Sequence, residues 1–404
     1  MSMAFCHVHL RSTMRRHATL PTYSFVSQLC KRYMSIDGAD SDDDATEIMF
    51  YARRSPAMIT LREMYQYGCS TDHSKRTMLL AAQFLHEELP VRLARRAKEL
   101  KSLPFGLNNT ASITGVRKLY ERSFFRIRRF PRPTSSELEE RFTEMLEDIK
   151  NEHSNVQASV ARGLQELDEA RIDKKGRLIH SGMHYNFGQF LDRFYLSRVG
   201  VRVLIGQHIM LHHPQEGFIG IIQKECQPAQ VCMHAVEDAR RICEMSYGIA
   251  PEVELEGATD MALPYIPEHL HYIFFELLKN SMRAVVERHK DKPHLIQPVS
   301  VVIADGDEDV AIKISDKGGG IPLSGMERLW TYTFTTAGNT KEKLQQITQQ
   351  PGRQVMAGFA HGLPLSRIHA RAFGGDLHVM SMQGNGTDVY IHISKLGDRQ
   401  VPVP

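Results

Sequence analysis

Three glycine-rich turns, each set where a β-branched run meets a loop or a helix begins, constrain this chain most. They are Asp316-Lys317-Gly318-Gly319-Gly320, Gly358-Phe359-Ala360-His361-Gly362 and Gly384-Asn385-Gly386-Thr387. Glycine lets backbone approach a partner where a Cβ would clash. The first turn follows Val310–Ser315, which pairs with Val299–Ala304 across Asp305-Gly306-Asp307, a hairpin signal. The second leads into a helical pattern over Leu363–Phe373, and the third joins Leu377–Met382 to Val389–Ile393 as another hairpin. Helical periodicity also covers Val231–Tyr247 and Ile266–His289. The second half therefore predicts a helix layer on a mainly antiparallel sheet, an α+β design.

The first half has a different texture. From about Ile48 to His213 the pattern is helical. In Met78–Leu100 apolar residues recur at Leu80, Phe84, Leu85 and Leu89, and Pro90 predicts a kink or break. A helical segment around Thr114–Phe130 follows. The next helix opens at Thr134-Ser135-Ser136, with Ser136 and Glu139 spaced for a capping box and Leu138, Phe142, Met145, Leu146 and Ile149 on one face. Further helices are expected over Val156–Glu169 and Phe187–Leu211. Several amphipathic helices without strands imply an antiparallel bundle. The boundaries read as a leader at 1–36, a bundle at 37–215, the mixed half at 216–397 and a tail at 398–404.

The leader has no Asp or Glu between Met1 and Ile36, while Arg11, Arg15, Arg16, Lys31 and Arg32 are basic. Such a segment suits a presequence drawn into the mitochondrial matrix. The acidic cluster Asp40, Asp42, Asp43 and Asp44 follows it. A formal net charge of +3 gives no argument for nucleic acid. No uncharged apolar run approaches the roughly 20 residues of a membrane span. The six cysteines are scattered without zinc spacing and read as free thiols in a reducing compartment.

The chemistry concentrates in Glu276-Leu277-Leu278-Lys279-Asn280. Glu276 and Asn280 lie four apart, so they share one helical face. An asparagine oxygen is a hard ligand suited to Mg²⁺ among phosphates. A carboxylate one turn earlier can serve as general base beside a γ-phosphate, and Arg283, one turn later, can face phosphate. At the strand end, Asp316 can accept the exocyclic amine of adenine. The amides of Gly358, Phe359, Ala360, His361, Gly362 and Leu363, with the helix N-terminus behind them, can cradle phosphates. Thr387 can donate to the nucleotide. Each turn alone is an ordinary loop; the ordered set points to ATP. There is no GxxxxGK(S/T) loop and no HRD/DFG pair.

These four elements resemble the N box and glycine boxes of the GHKL (Bergerat) ATPase superfamily. The detail resembles the mitochondrial pyruvate and branched-chain 2-oxo-acid dehydrogenase kinases, through Phe275–Ala284, Ile314–Gly320, Gly358–Arg367 and Gly386–Tyr390. In the first half, Glu88–Ala94 and Phe190–Arg198 also match. The resemblance implies a helical bundle followed by a GHKL α/β sandwich. It implies an ATP-dependent protein serine kinase that inactivates a dehydrogenase complex through its E1α subunit, docks on the lipoyl domain of E2, and is a homodimer. Glu276 would be the general base, Asn280 the Mg²⁺ ligand, Asp316 the adenine reader with Gly318 and Gly320, and Thr387 the closing residue. Lys279 and Arg283 would belong to the nucleotide site. Thr335 and Thr336, before a lid at Ala337–Ala357, would touch ATP. K⁺ binds some members near the lid, where Leu329, Thr331 and Phe334 stand here, and these side chains neither support nor exclude it. Tyr120, Ser123, His153, Arg198 and Arg202 match an effector pocket for small 2-oxo acids.

The departures bear on substrate. Tyr272 stands where the pyruvate kinases carry histidine, and with Ser197–Arg202 and Gly217–Ile222 it leans toward the branched-chain kinases. Tyr51–Pro56 leans the other way. Ala360 replaces a usual glycine. His86-Glu87-Glu88-Leu89-Pro90 has the look of a bacterial phospho-acceptor box, but its proline falls one residue early, and His86 reads as a surface residue. Two rival functions stay open: an ATP-gated adaptor on the E2 core, and an ATPase switch of the GHKL type.

Overall fold

A computed structural model describes residues 44–69, 75–170, 184–332 and 361–395. The leader, the lid, Phe334, Thr335, Thr336, Gly358, Phe359 and Ala360 lie outside them. The first half is helical: α1 (Asp44–Ala52), α2 (Leu61–Cys69), α3 (Lys75–Lys101), α4 (Ala111–Arg128), α5 (Ser136–Glu152), α6 (Val156–Ala170) and α7 (His184–Leu211). Its core gathers Leu89, Leu93, Leu100, Phe124, Phe142, Leu146 and Phe194, all essentially without solvent exposure.

Three local expectations give way to tertiary packing. First, α3 runs unbroken through Pro90. Leu89, Val91, Leu93 and Ala94 around it are fully buried, and that burial outweighs the roughly 3 kcal/mol an interior proline costs. Second, His86 is buried at 5% exposure rather than on the surface, its Nε2 lying 2.9 Å from the carbonyl of Phe130. Third, the cap of α5 is Ser135, which accepts from the amide of Leu138 at 3.3 Å. No capping box forms from Ser136, because Glu139 turns inward to His208 of α7 and His212 just past its end.

The second half carries two sheets. A small one, order β1-β2-β4, joins β1 (Phe218–Ile219), β2 (Ile222–Cys226) and β4 (Leu263–Tyr265). The main sheet joins β3 (Val253–Gly257), β5 (Val299–Asp305), β6 (Asp309–Asp316), β7 (Asp376–Met382) and β8 (Gly386–Ser394), in the order β3-β5-β6-β8-β7. Only β3 and β5 run parallel. The helices α8 (Pro228–Tyr247), α9 (Pro267–Arg288) and α11 (Gly362–Arg371) accompany it, with the short α10 (Leu323–Met326) between. This is the mixed α/β sandwich expected from the sequence. Val310, Ile312, Ile314 and Asp316 alternate as the buried face of β6. The period of two thus carries a carboxylate into a core position at the strand end. The opposing register pairs Asp316 with Thr387.

Among the described residues no helix is long and apolar enough to cross a membrane. Cys69, Cys226, Cys232 and Cys243 are free thiols.

Candidate functional site

Helix α9 buries Leu270, Ile273, Phe274, Leu277, Leu278, Met282 and Val285, the 3–4 spacing of one apolar stripe. A second stripe along its edge, Glu276, Asn280, Arg283 and Glu287, lines a cleft of about 340 Å³. The opposite wall is Asp316, Gly318, Gly320, Leu329, Gly362, Leu363 and Thr387. Five separate sequence segments therefore converge on one cavity.

Asp316 sits at the floor. Its Oδ1 accepts from the amide of Gly318 at 2.8 Å and its Oδ2 from the hydroxyl of Ser281 at 3.2 Å. Burial pushes its carboxyl above the usual range, only partly offset by these hydrogen bonds. The glycines beside it are required by contact. A Cβ on Gly318 would lie 2.4 Å from the Cβ of Ala284 and 2.7 Å from its carbonyl carbon, so the turn and α9 touch backbone to backbone. Gly320 has φ +68° and would meet the carbonyl of Met382 at 2.1 Å. Arg288 holds the turns together, donating to the carbonyls of Lys317 at 2.8 Å, Asn385 at 2.6 Å and Gly384 at 2.8 Å. Ser381 accepts from the amide of Ile321 at 2.8 Å and shares a 2.9 Å hydrogen bond with the hydroxyl of Thr387.

On the other side stand the start of α11 and the carboxylate of Glu276. A Cβ on Gly362 would fall 2.3 Å from Glu276 Oε2. Lys279 does not line the cleft; its Nζ bonds Glu276 Oε1 at 2.8 Å from a nearly buried position. His361 is buried, which pushes its imidazole down to about 4. Its ring packs against Tyr332 and Tyr195, with centroids 5.1 and 5.8 Å away. Tyr332 donates to Asp192 of α7 at 2.7 Å. The bundle thus supplies part of the wall behind His361 and the start of α11. Tyr272 lies against His369 at 4.5 Å, while His271 faces Asp238 on another side.

In the bundle, Tyr120, His153, Arg198 and Arg202 surround a small cavity of about 10 Å³. Ser123 stands behind it, its hydroxyl 2.9 Å from His153 Nε2, and Arg198 donates to the carbonyl of His153 at 2.7 Å. Burial, then Arg198 and Arg202, push the His153 imidazole down to about 3.

Among the described residues, the structure brings Glu276, Asn280, Arg283, Asp316, Gly318, Gly320, Gly362, Leu363 and Thr387 into one cleft. His361 backs the cleft and Lys279 reaches it through Glu276. Leu329 lines it too, while the hydroxyl of Thr331 turns to the carbonyl of Arg328. Sequence reasoning missed Ser281, Arg288 and Ser381. Ser281 sits beside Asn280 in the same motif; Arg288 and Ser381 carried no local signal.

Residues 58–223 match the family described as mitochondrial branched-chain alpha-ketoacid dehydrogenase kinase. Residues 265–396 match the histidine kinase-, DNA gyrase B- and HSP90-like ATPases. The mitochondrial pyruvate dehydrogenase (acetyl-transferring) kinase of Arabidopsis thaliana is 45% identical over 86% of this chain and 92% of its own length. Isozyme 3 of mouse is 37% identical over 87% of this chain and 84% of its own. Isozyme 4 of human is 34% identical over 88% and 85%. A bundle, a Bergerat-type cleft and relatives spanning both halves agree: the chain belongs to the mitochondrial 2-oxo-acid dehydrogenase kinases, ATP-dependent protein kinases of the GHKL superfamily.

Proposed function

We propose that this kinase transfers the γ-phosphate of ATP to a serine of a dehydrogenase E1α subunit in the mitochondrial matrix, inactivating the complex. The observation that carries the reading is the convergence of Glu276, Asn280, Asp316, Gly362 and Thr387 on one cleft. Asp316, desolvated and holding donors from Gly318 and Ser281, has the chemistry to accept the amine of adenine, with Gly318 and Gly320 lining that pocket and Thr387 closing its side. Glu276 takes the proton of the substrate hydroxyl as it attacks. Lys279 orients that carboxylate. Arg283 faces phosphate, and the amides of Gly358–Leu363, with Thr335 and Thr336, hold the chain of phosphates.

The donor set fits Mg²⁺. Asn280 offers one hard oxygen on the cleft, and this ion takes its remaining ligands from phosphate and water. When bound, it neutralises charge on the phosphates. K⁺ would be held by backbone carbonyls near Leu329 and Thr331. Arg198 and Arg202 give the bundle cavity two cations for the carboxylate of a 2-oxo acid, and its small volume means that side chains must move to admit one. Docking on the lipoyl domain of E2 and a homodimer complete the reading.

The names of the relatives make the pyruvate complex the first acceptor to test. The branched-chain complex is a second reading, supported by the match over residues 58–223, Tyr272, Ser197–Arg202 and Gly217–Ile222. The purified protein is incubated with labelled ATP, Mg²⁺ and each complex separately, beside Glu276→Gln. Serine phosphate on one E1α, reduced by about 10²–10⁴-fold in the variant, is expected. Binding of ATP without labelling of either complex would turn the reading to an adaptor, and steady hydrolysis without a protein acceptor to an ATPase switch.

A further inference from the structure

Away from the nucleotide cleft, α5 and α7 face each other through two i,i+4 pairs: Glu139 and Thr143 on α5, His208 on α7 and His212 just past its end. Glu139 Oε1 lies 3.2 Å from His208 Nε2 and 2.9 Å from His212 Nε2. The three ligand atoms all fall within 4.8 Å of one another. Thr143 Oγ1 sits 2.9 Å from His208 Nε2 and 3.3 Å from His212 Nε2.

We propose that Glu139, His208 and His212 form a binding site for a divalent transition metal of the Zn²⁺ class, with the hydroxyl of Thr143 beside the fourth position. Two imidazole nitrogens and one carboxylate are a donor set that Zn²⁺ takes, leaving one position for water. In a tetrahedron with metal–ligand bonds near 2.0–2.2 Å, donors stand about 3.3–3.5 Å apart. The two Glu139 separations need only a few tenths of an ångström of expansion.

The site lies at the C-terminal end of α7, where the helix dipole favours a cation. Glu139 and His208 are buried while the side chain of His212 is 21% exposed, so solvent reaches the site from one side. An ion here would clip α5 to α7, the helix that also carries Asp192 and Tyr195 to the nucleotide cleft.

The test uses the full chain, stripped with chelator and free of nucleotide. Zn²⁺ binding is measured by competition with a chromophoric chelator, and Co²⁺ is added in parallel for its visible spectrum. One equivalent of Zn²⁺ per chain and a four-coordinate Co²⁺ spectrum are expected. His212→Ala and the polar His212→Asn, both checked for native circular dichroism, weaken that equivalent on the order of tenfold or more. His234→Ala and Cys69→Ser, which remove an exposed imidazole and an exposed thiol, leave it unchanged. Absence of a stoichiometric equivalent, or one that survives both His212 substitutions, overturns the proposal.

Discussion

Gly362→Ala tests how closely the carboxylate of Glu276 is set. The added Cβ would stand 2.3 Å from Glu276 Oε2, against 3.4 Å for the start of ordinary contact, so the carboxylate must retreat by about 1.1 Å. The obstacle is the end of a flexible side chain, and alanine is a better helix former than glycine, so little stability is lost. Lys279, bonded to the same carboxylate at 2.8 Å, must follow or let go. A displacement of about 1 Å in a catalytic group costs on the order of 100-fold. Steady-state phosphorylation of the purified complex should show kcat lower by about that factor. KM for ATP should move by less than about threefold, because Asp316, the proposed adenine reader, lies on the other side of the cleft. A variant with kcat within about threefold of the parent would refute the placement of Glu276 as the base.

Three further outcomes follow from the packing. Gly318→Ala sets a Cβ against the backbone of Ala284 and Val285; it should cost about 1–3 kcal/mol in urea denaturation and weaken ATP at least about tenfold in calorimetric titration. Glu88 accepts from Arg92 Nε at 2.7 Å and from the amide of Ala57 at 2.9 Å in full burial; Glu88→Ala should lose about 3–5 kcal/mol, whereas removing the exposed Arg122–Glu152 pair should cost under about 1 kcal/mol. His153, held down to about 3 from an ordinary 6.5, adds stability that is present above pH 6.5 and lost as pH falls toward 3; between pH 7 and 5 the parent should lose about 2 kcal/mol more than His153→Gln.

What could be read from sequence was whatever repeats locally. The stripes of α9 and the three glycine turns are local, and Gly318, Gly320 and Gly386 proved to be backbone contacts that no Cβ survives. Strand β3 escaped notice because Val253 and Leu255 are only half-buried and alternate with exposed Glu254 and Glu256, an edge strand with little apolar signal. The short pairs of the small sheet are too brief to show a period. His86, Ser381 and Arg288 depend on partners distant in sequence, as His86 does on Phe130. Ser135 displaced Ser136 as the cap because Glu139 found histidines more than 60 residues away.

The ring cluster of Tyr195, Tyr332 and His361 bears on modularity. Superfamily relatives tempt one to treat the sheet half as a portable cartridge. Here, cutting the chain between α7 and β1 would strip His361 of Tyr195, one of its two aromatic neighbours, and Tyr332 of its acceptor, leaving a polar-edged hydrophobic scar beside the start of α11. Chimeras that exchange bundles between related kinases would exchange part of the wall of the proposed ATP cleft with them. A hybrid's nucleotide affinity would then report on the origin of its α7 as well as of its sheet.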